Sequence, residues 1–113
     1  RFSKNECLSI PPTSDGNAWH LYLLRIVPEK LNVSRDTIIA RLQENGLGMS
    51  MHFIPHFYLT WFKNTFSLRD VDFPNAKRMY ETTMTLPFYP GMTNEDAEYV
   101  ADTVLKVIAQ SRV

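Results

Sequence analysis

Between Trp19 and Val27 the chain reads WHLYLLRIV, nine residues whose aromatic and branched side chains fall on both alternating faces, with Pro28 closing the run. An extended segment that is apolar on both sides must be covered on both sides. The run therefore asks for layers, a strand within a sheet and helices packed over it. The next segment supplies one such helix. Ser34 stands at an N-cap position, Val33 and Ile38 are spaced as a hydrophobic staple, Ile38, Ile39 and Leu42 make an apolar stripe, and Asn45-Gly46 is a stop signal. The spacing predicts a helix from Ser34 to about Asn45.

A second strand is expected in GMSMHFI, with Met49, Met51 and Phe53 on one face and Ser50, His52 and Ile54 on the other. Residues 55–72 form a connection long enough to hold a short helical turn. Pro74 is placed to open a helix whose Ala76, Met79, Tyr80 and Thr83 follow helical spacing, TLPFY reads as a short third strand, and Pro90-Gly91 as a turn. Thr93-Asn94-Glu95-Asp96 has the form of a capping box, with Met92 and Ala97 as a staple, and the last helix runs to about Gln110 on Ala97, Val100, Ala101, Val104 and Ile108. The expected order is β-α-β-loop-α-β-α, a small α/β (α+β) unit with a three-stranded sheet and helices mainly on one face. Residues 1–18, polar and broken by Pro11, Pro12 and Gly16, read as an extended lead-in, and residues 19–113 as the domain.

Composition narrows the function. At 113 residues there is room for one core. Twelve Lys+Arg balance twelve Asp+Glu, so no basic field exists to neutralise phosphates, and nucleic acid is set aside as a partner. No apolar run approaches the ~18 residues that span a bilayer, so no membrane partner is expected. The single cysteine, Cys7, cannot form an internal disulfide and reads as a small residue near a flexible end in a reducing, cytoplasmic setting. RFSKNECLSIPP is no signal peptide, and a chain beginning at Arg1 reads as cut from something longer.

His52 and His56 are four apart, a spacing that aligns metal ligands on a helix, but Pro55 forbids a helical turn through the pair and no metal site is expected. No serine or cysteine stands beside a histidine and carboxylate as a nucleophile would require, and no glycine-rich loop opens a helix to cradle phosphate. His52, His56, Tyr58 and Trp61 remain as candidates for ligand contact, because they lie where a rigid element ends and side chains reach outward. The other reading is a half-buried strand histidine followed by packing aromatics. His20 reads as a satisfied core histidine, and Arg25 as a charge paired with a carboxylate or an interdomain contact.

AWHLYLLRI, RDTIIARLQENGLGMSMHFIP and FPNAKRMYETTMTLPFYPGMTNEDAEYVADTV, in that order, resemble the C-terminal segment of the DegT/DnrJ/StrS family of aminotransferases. The likeness covers nearly all of the chain from Trp19 onward. It implies the small domain of a fold type I, pyridoxal-phosphate enzyme that puts an amino group on a nucleotide-linked keto sugar, usually from glutamate, in surface-polysaccharide or other sugar biosynthesis. In the family the cofactor-bearing lysine and most phosphate contacts belong to a large domain that would precede Arg1, and Lys4, Lys30, Lys63, Lys77 and Lys106 match none of them. The resemblance thus implies no catalytic or cofactor-binding residue here, no cofactor bound to these residues, and no activity in isolation. It implies the missing large domain, a nucleotide sugar and an amino-acid donor as partners, and a homodimeric parent.

His52 matches the first histidine of the family's strand, which implies a substrate-binding set of His52, His56, Tyr58 and Trp61. The family commonly continues with a second histidine where this chain has Phe57, a proline where it has Thr60 and an aromatic where it has Trp61, so His56 is displaced by one residue. Two rivals differ in kind: a free-standing α/β ligand-binding or regulatory module, and a degenerate homologue used for sensing. Trp19, Trp61, Phe62 and Phe66 speak against the first, being more aromatic surface than a self-sufficient small domain shows to water.

Overall fold

A computed structural model describes residues 1–113, with a three-stranded antiparallel sheet at the centre. Of the long apolar run, Tyr22–Ile26 forms the central strand, β2. The extended path cannot begin at Trp19, which sits in the left-handed region at φ 46°. One edge strand is β1, Leu8–Ser9, and the other is β3, Thr83–Leu86. Leu8 stands opposite Ile26, and Leu24 opposite Met84.

The helices are α1 (Arg35–Glu44), α2 (Thr60–Phe66), α3 (Pro74–Thr82) and α4 (Asn94–Ala109). Their starts are local chemistry. Ser34 Oγ accepts the Thr37 N–H at 3.2 Å, Pro74 occupies the first turn of α3, and at α4 Thr93 Oγ1 accepts the Asp96 N–H while the Asp96 carboxylate accepts the Thr93 N–H. Leu24 and Ile26 of β2 and Met84 and Leu86 of β3 turn to the face covered by α1 and α4, where Ile38, Leu42, Val104 and Ile108 complete one core. By alternation Leu23, Arg25, Thr83 and Thr85 occupy the opposite face.

The expected fold class holds, and the expected strand membership does not. Residues 48–54 form no strand: one bridge joins Ser50 to Thr85, with Thr85 N–H donating to Ser50 O at 2.9 Å and Ser50 N–H to Thr85 O at 3.5 Å. In that register Gly48 faces Pro87, which has no N–H to continue the ladder. The alternation expected for this stretch fails with it, since Met51, Phe53 and Ile54 are all exposed. The third strand comes instead from the first nine residues, read from sequence as extended lead-in, so the order is β-β-α-α-α-β-α. Cys7, expected near a flexible end, is fully buried beside β1, its carbonyl accepting the Val27 N–H at 2.8 Å.

Smaller departures have similar causes. His20, expected in the core, is exposed because it precedes the strand. Arg25 has no carboxylate partner and donates to Ser9 Oγ at 3.1 Å and Met79 Sδ at 3.1 Å. The α3 stripe is largely uncovered: Ala76 and Met79 are exposed, Tyr80 is half-buried, and Thr83 already belongs to β3. Ala97 is exposed at the start of α4, and Thr103 and Val107 join its buried side. No helix is long and apolar enough to cross a membrane.

Candidate functional site

The site region is the chain from Ser50 to Phe66, which leaves the edge of the sheet and returns as α2. The Ser50–Thr85 bridge fixes its start. Two residues on, His52 Nδ1 lies 2.9 Å from Thr85 Oγ1, and the ring meets Phe53 edge-on at 4.6 Å. Phe53 itself is 76% exposed. Pro55 then ends the extended path, and His56–Tyr58 makes a single 3-10 turn.

That turn is pinned from below by Phe57, which is 5% exposed and stacks on Phe73 at 5.6 Å. An apolar ring therefore occupies the position where the resemblance expects a histidine. His56, on the outer side of the turn, stacks on Phe62 of α2 at 4.3 Å. Trp61 meets Phe62 edge-on at 4.9 Å and Phe66 at 5.9 Å, and is 63% exposed. Trp19 and Phe62, grouped with Trp61 and Phe66 as exposed aromatics from sequence, are half-buried. Pro55, His56, Phe57, Leu68, Phe73 and Ala76 line a cavity of about 390 Å³.

The structure thus gathers only part of the predicted set. His56 and Trp61 meet through Phe62. His52 is held separately on Thr85. Tyr58 turns to another cavity, of about 400 Å³, where it faces Tyr80 at 5.7 Å and is joined by Ser34, Arg35, Asp36 and Glu81. No group of three or more His, Cys, Asp or Glu side chains converges to hold a metal ion.

Two residues that matter here were not singled out from sequence. Thr85 orients His52 from 33 positions away, with no local pattern to announce it. Arg35 is 5% exposed and ties α1 to the α3–β3 junction, donating from Nη1 to Tyr80 O at 2.9 Å and Thr83 O at 2.7 Å while Nε meets Asp36 at 2.6 Å. The one signal for Arg35 was a cation at the start of a helix, where the dipole disfavours it, so it had to be serving another element. Around the loop before α3, Lys77 donates to Asp70 at 2.5 Å, holding the Asp70 carboxyl below the usual range and the Lys77 ammonium above its own. Arg69 clasps Asp72 through two hydrogen bonds, at 2.9 and 2.7 Å, and lowers its carboxyl likewise.

Known structures share this architecture. Helicobacter pylori PseC, described as an aminotransferase involved in the biosynthesis of pseudoaminic acid, superposes with a TM-score of 0.86 over 96% of this chain and 29% of its own, at 20% identity. The putative sugar aminotransferase Spr1654 of Streptococcus pneumoniae, in its PMP form, gives 0.84 over 96% and 27%, at 24% identity. These likenesses show that the fold is shared with part of each of those chains. The chain belongs to the DegT/DnrJ/EryC1/StrS aminotransferase family, whose model matches residues 2–105. It is 37% identical over 93 residues to the spore coat polysaccharide biosynthesis protein SpsC of Bacillus subtilis, covering 81% of this chain and 24% of that protein. To the uncharacterized protein MJ1066 of Methanocaldococcus jannaschii it is 38% identical over 96 residues, 85% of this chain and 25% of that one. The chain spans about a quarter of the length of these curated relatives.

Proposed function

We propose that residues 19–113, with the strand that precedes them, are the C-terminal small domain of a cytoplasmic, homodimeric enzyme that aminates a nucleotide-linked keto sugar, with glutamate as donor. The observation that carries this reading is the family match across residues 2–105, on a chain a quarter the length of its relatives. SpsC by its name serves polysaccharide biosynthesis and Spr1654 is described as a putative sugar aminotransferase, which supports a sugar as the substrate here.

Within that enzyme the domain supplies shape and orientation. His52, half-buried and fixed on Thr85, offers one ring nitrogen to a sugar or phosphate oxygen, and His56 and Trp61 present flat faces on which a sugar or base ring stacks. Tyr58 borders the same turn from the Arg35 side. Trp61, Phe66 and Phe53 are exposed beyond what a free-standing small domain requires, which favours a neighbouring domain over a solitary module.

Pyridoxal phosphate, which this family's chemistry calls for, does not fit the residues present. A lysine that bonds the cofactor must be free, and is activated by a desolvated pocket or a neighbouring cation. Lys77 is held by Asp70 and Lys30 by Glu6, while Lys4, Lys63 and Lys106 are exposed. The cofactor is therefore proposed to sit on parts of the enzyme outside this chain, where it would act as the electron sink for amino transfer. The test is to incubate the full-length protein with pyridoxal phosphate, glutamate and a panel of nucleotide-linked 4-keto and 3-keto sugars. Formation of an amino sugar with matching 2-oxoglutarate is the expected result; no amination of any keto sugar by cofactor-loaded protein would count against the reading.

A further inference from the structure

The Thr85 hydroxyl is buried, at 4% residue exposure, and His52 Nδ1 at 2.9 Å is its one hydrogen-bond partner in the chain. A buried O–H left without an acceptor forfeits a full desolvation penalty, whereas an idle lone pair on the same oxygen is tolerated. That preference turns the hydroxyl proton toward Nδ1, even though the neighbouring Thr83 hydroxyl on the same face is buried without a partner. An Nδ1 that accepts carries no hydrogen of its own, so the neutral ring bears its proton on Nε2. The backbone holds the pair in register, because Thr85 also exchanges main-chain hydrogen bonds with Ser50, two residues before His52. Nε2 has no partner within the chain, and His52 is only partly buried.

We infer that Thr85 is a positioning residue that locks His52 as the Nε2–H tautomer, so that this edge of the sheet presents a hydrogen-bond donor and selects ligands with an acceptor oxygen facing it. The ring cannot then take a proton at Nε2, which makes His52 a recognition group and not a general base. The ligand half of the inference rests on the sugar-site reading above. The tautomer half does not.

The test is long-range proton–nitrogen correlation NMR on full-length protein labelled with nitrogen-15 histidine, at neutral pH, with the His52 resonances assigned by their loss in His52→Gln. The expected result is Nε2 in the protonated range and Nδ1 in the unprotonated range, preserved in Thr85→Ser and lost to a tautomer mixture in Thr85→Val. A wild-type His52 protonated at Nδ1, alone or together with Nε2, overturns the inference without need of a variant. A Thr85→Val protein with an unchanged tautomer overturns the positioning role, and Thr85→Ala replaces it if the valine variant does not fold. Sugar-substrate KM separates the two halves: His52→Leu is expected to raise it about tenfold, the worth of one hydrogen bond, with His52→Gln closer to wild type because its amide keeps a donor. An Nε2–H tautomer with KM unchanged in His52→Leu leaves the tautomer standing and removes His52 from the sugar site.

Discussion

Arg35 and Thr83 are 48 positions apart, and the buried guanidinium of the first donates to the carbonyl of the second at 2.7 Å. The same Nη1 reaches the Tyr80 carbonyl, and the guanidinium carbon stands 5.1 Å over the Tyr80 ring. One side chain thus closes the end of α3, starts β3 and anchors α1 to both.

Arg35→Met should cost roughly 2–4 kcal/mol of stability, because it strands the buried Thr83 carbonyl and the part-buried Tyr80 carbonyl. Arg35→Lys should recover little, since an ammonium cannot reproduce the planar fork. Urea unfolding with an unchanged m-value measures both.

The α4 capping box gives a pH dependence of known sign. The Thr93 N–H, donating to Asp96, holds that carboxyl below the usual carboxylate range. A group depressed in the folded state stabilises at and above its ordinary pKa, and that contribution is lost as the pH falls through the depressed value. Stability is therefore expected to fall on acidification below the ordinary aspartate range, less steeply in Asp96→Asn. Thr93→Ala should cost about 1 kcal/mol at neutral pH. Urea midpoints measured across acid pH check the first, and one titration at neutral pH checks the second.

Phe57 and Trp61 are four residues apart and should behave oppositely. Phe57→Ala removes a 5%-exposed ring stacked on Phe73 and is expected to cost about 3–5 kcal/mol. Trp61→Ser alters a ring that is 63% exposed and should shift stability by no more than about 0.5 kcal/mol. If the Trp61–Phe66 surface is covered by a neighbouring domain, Trp61→Ser should also weaken binding of apolar dyes by residues 1–113 produced alone, and unaltered dye binding would place the apolar surface elsewhere.

What could be read from sequence follows from how local each determinant is. Ser34, Pro74 and the Thr93–Asp96 box act within one helical turn, and these three helix starts were legible to within a residue or two, whereas α2 was not placed within residues 55–72. The strand expected at 48–54 failed because a ladder depends on its partner, which offers Pro87 without an N–H at one end and, at the other, a Thr83 whose N–H and carbonyl are already taken by Met79 O and Arg35. β1 is two residues long and has no period to detect. The region carrying the candidate site was legible as a strand end followed by an aromatic turn. Its internal geometry was not, since Thr85, Tyr80 and Phe73 reach it from 15 or more positions away.

The most direct test of the account is hydrogen–deuterium exchange on the full-length, cofactor-loaded protein, with and without a nucleotide-linked sugar. Slowed exchange is expected across residues 50–62, centred on His52 and the His56–Tyr58 turn. Unchanged exchange in 50–62 at a saturating concentration of a nucleotide sugar shown to bind would contradict it.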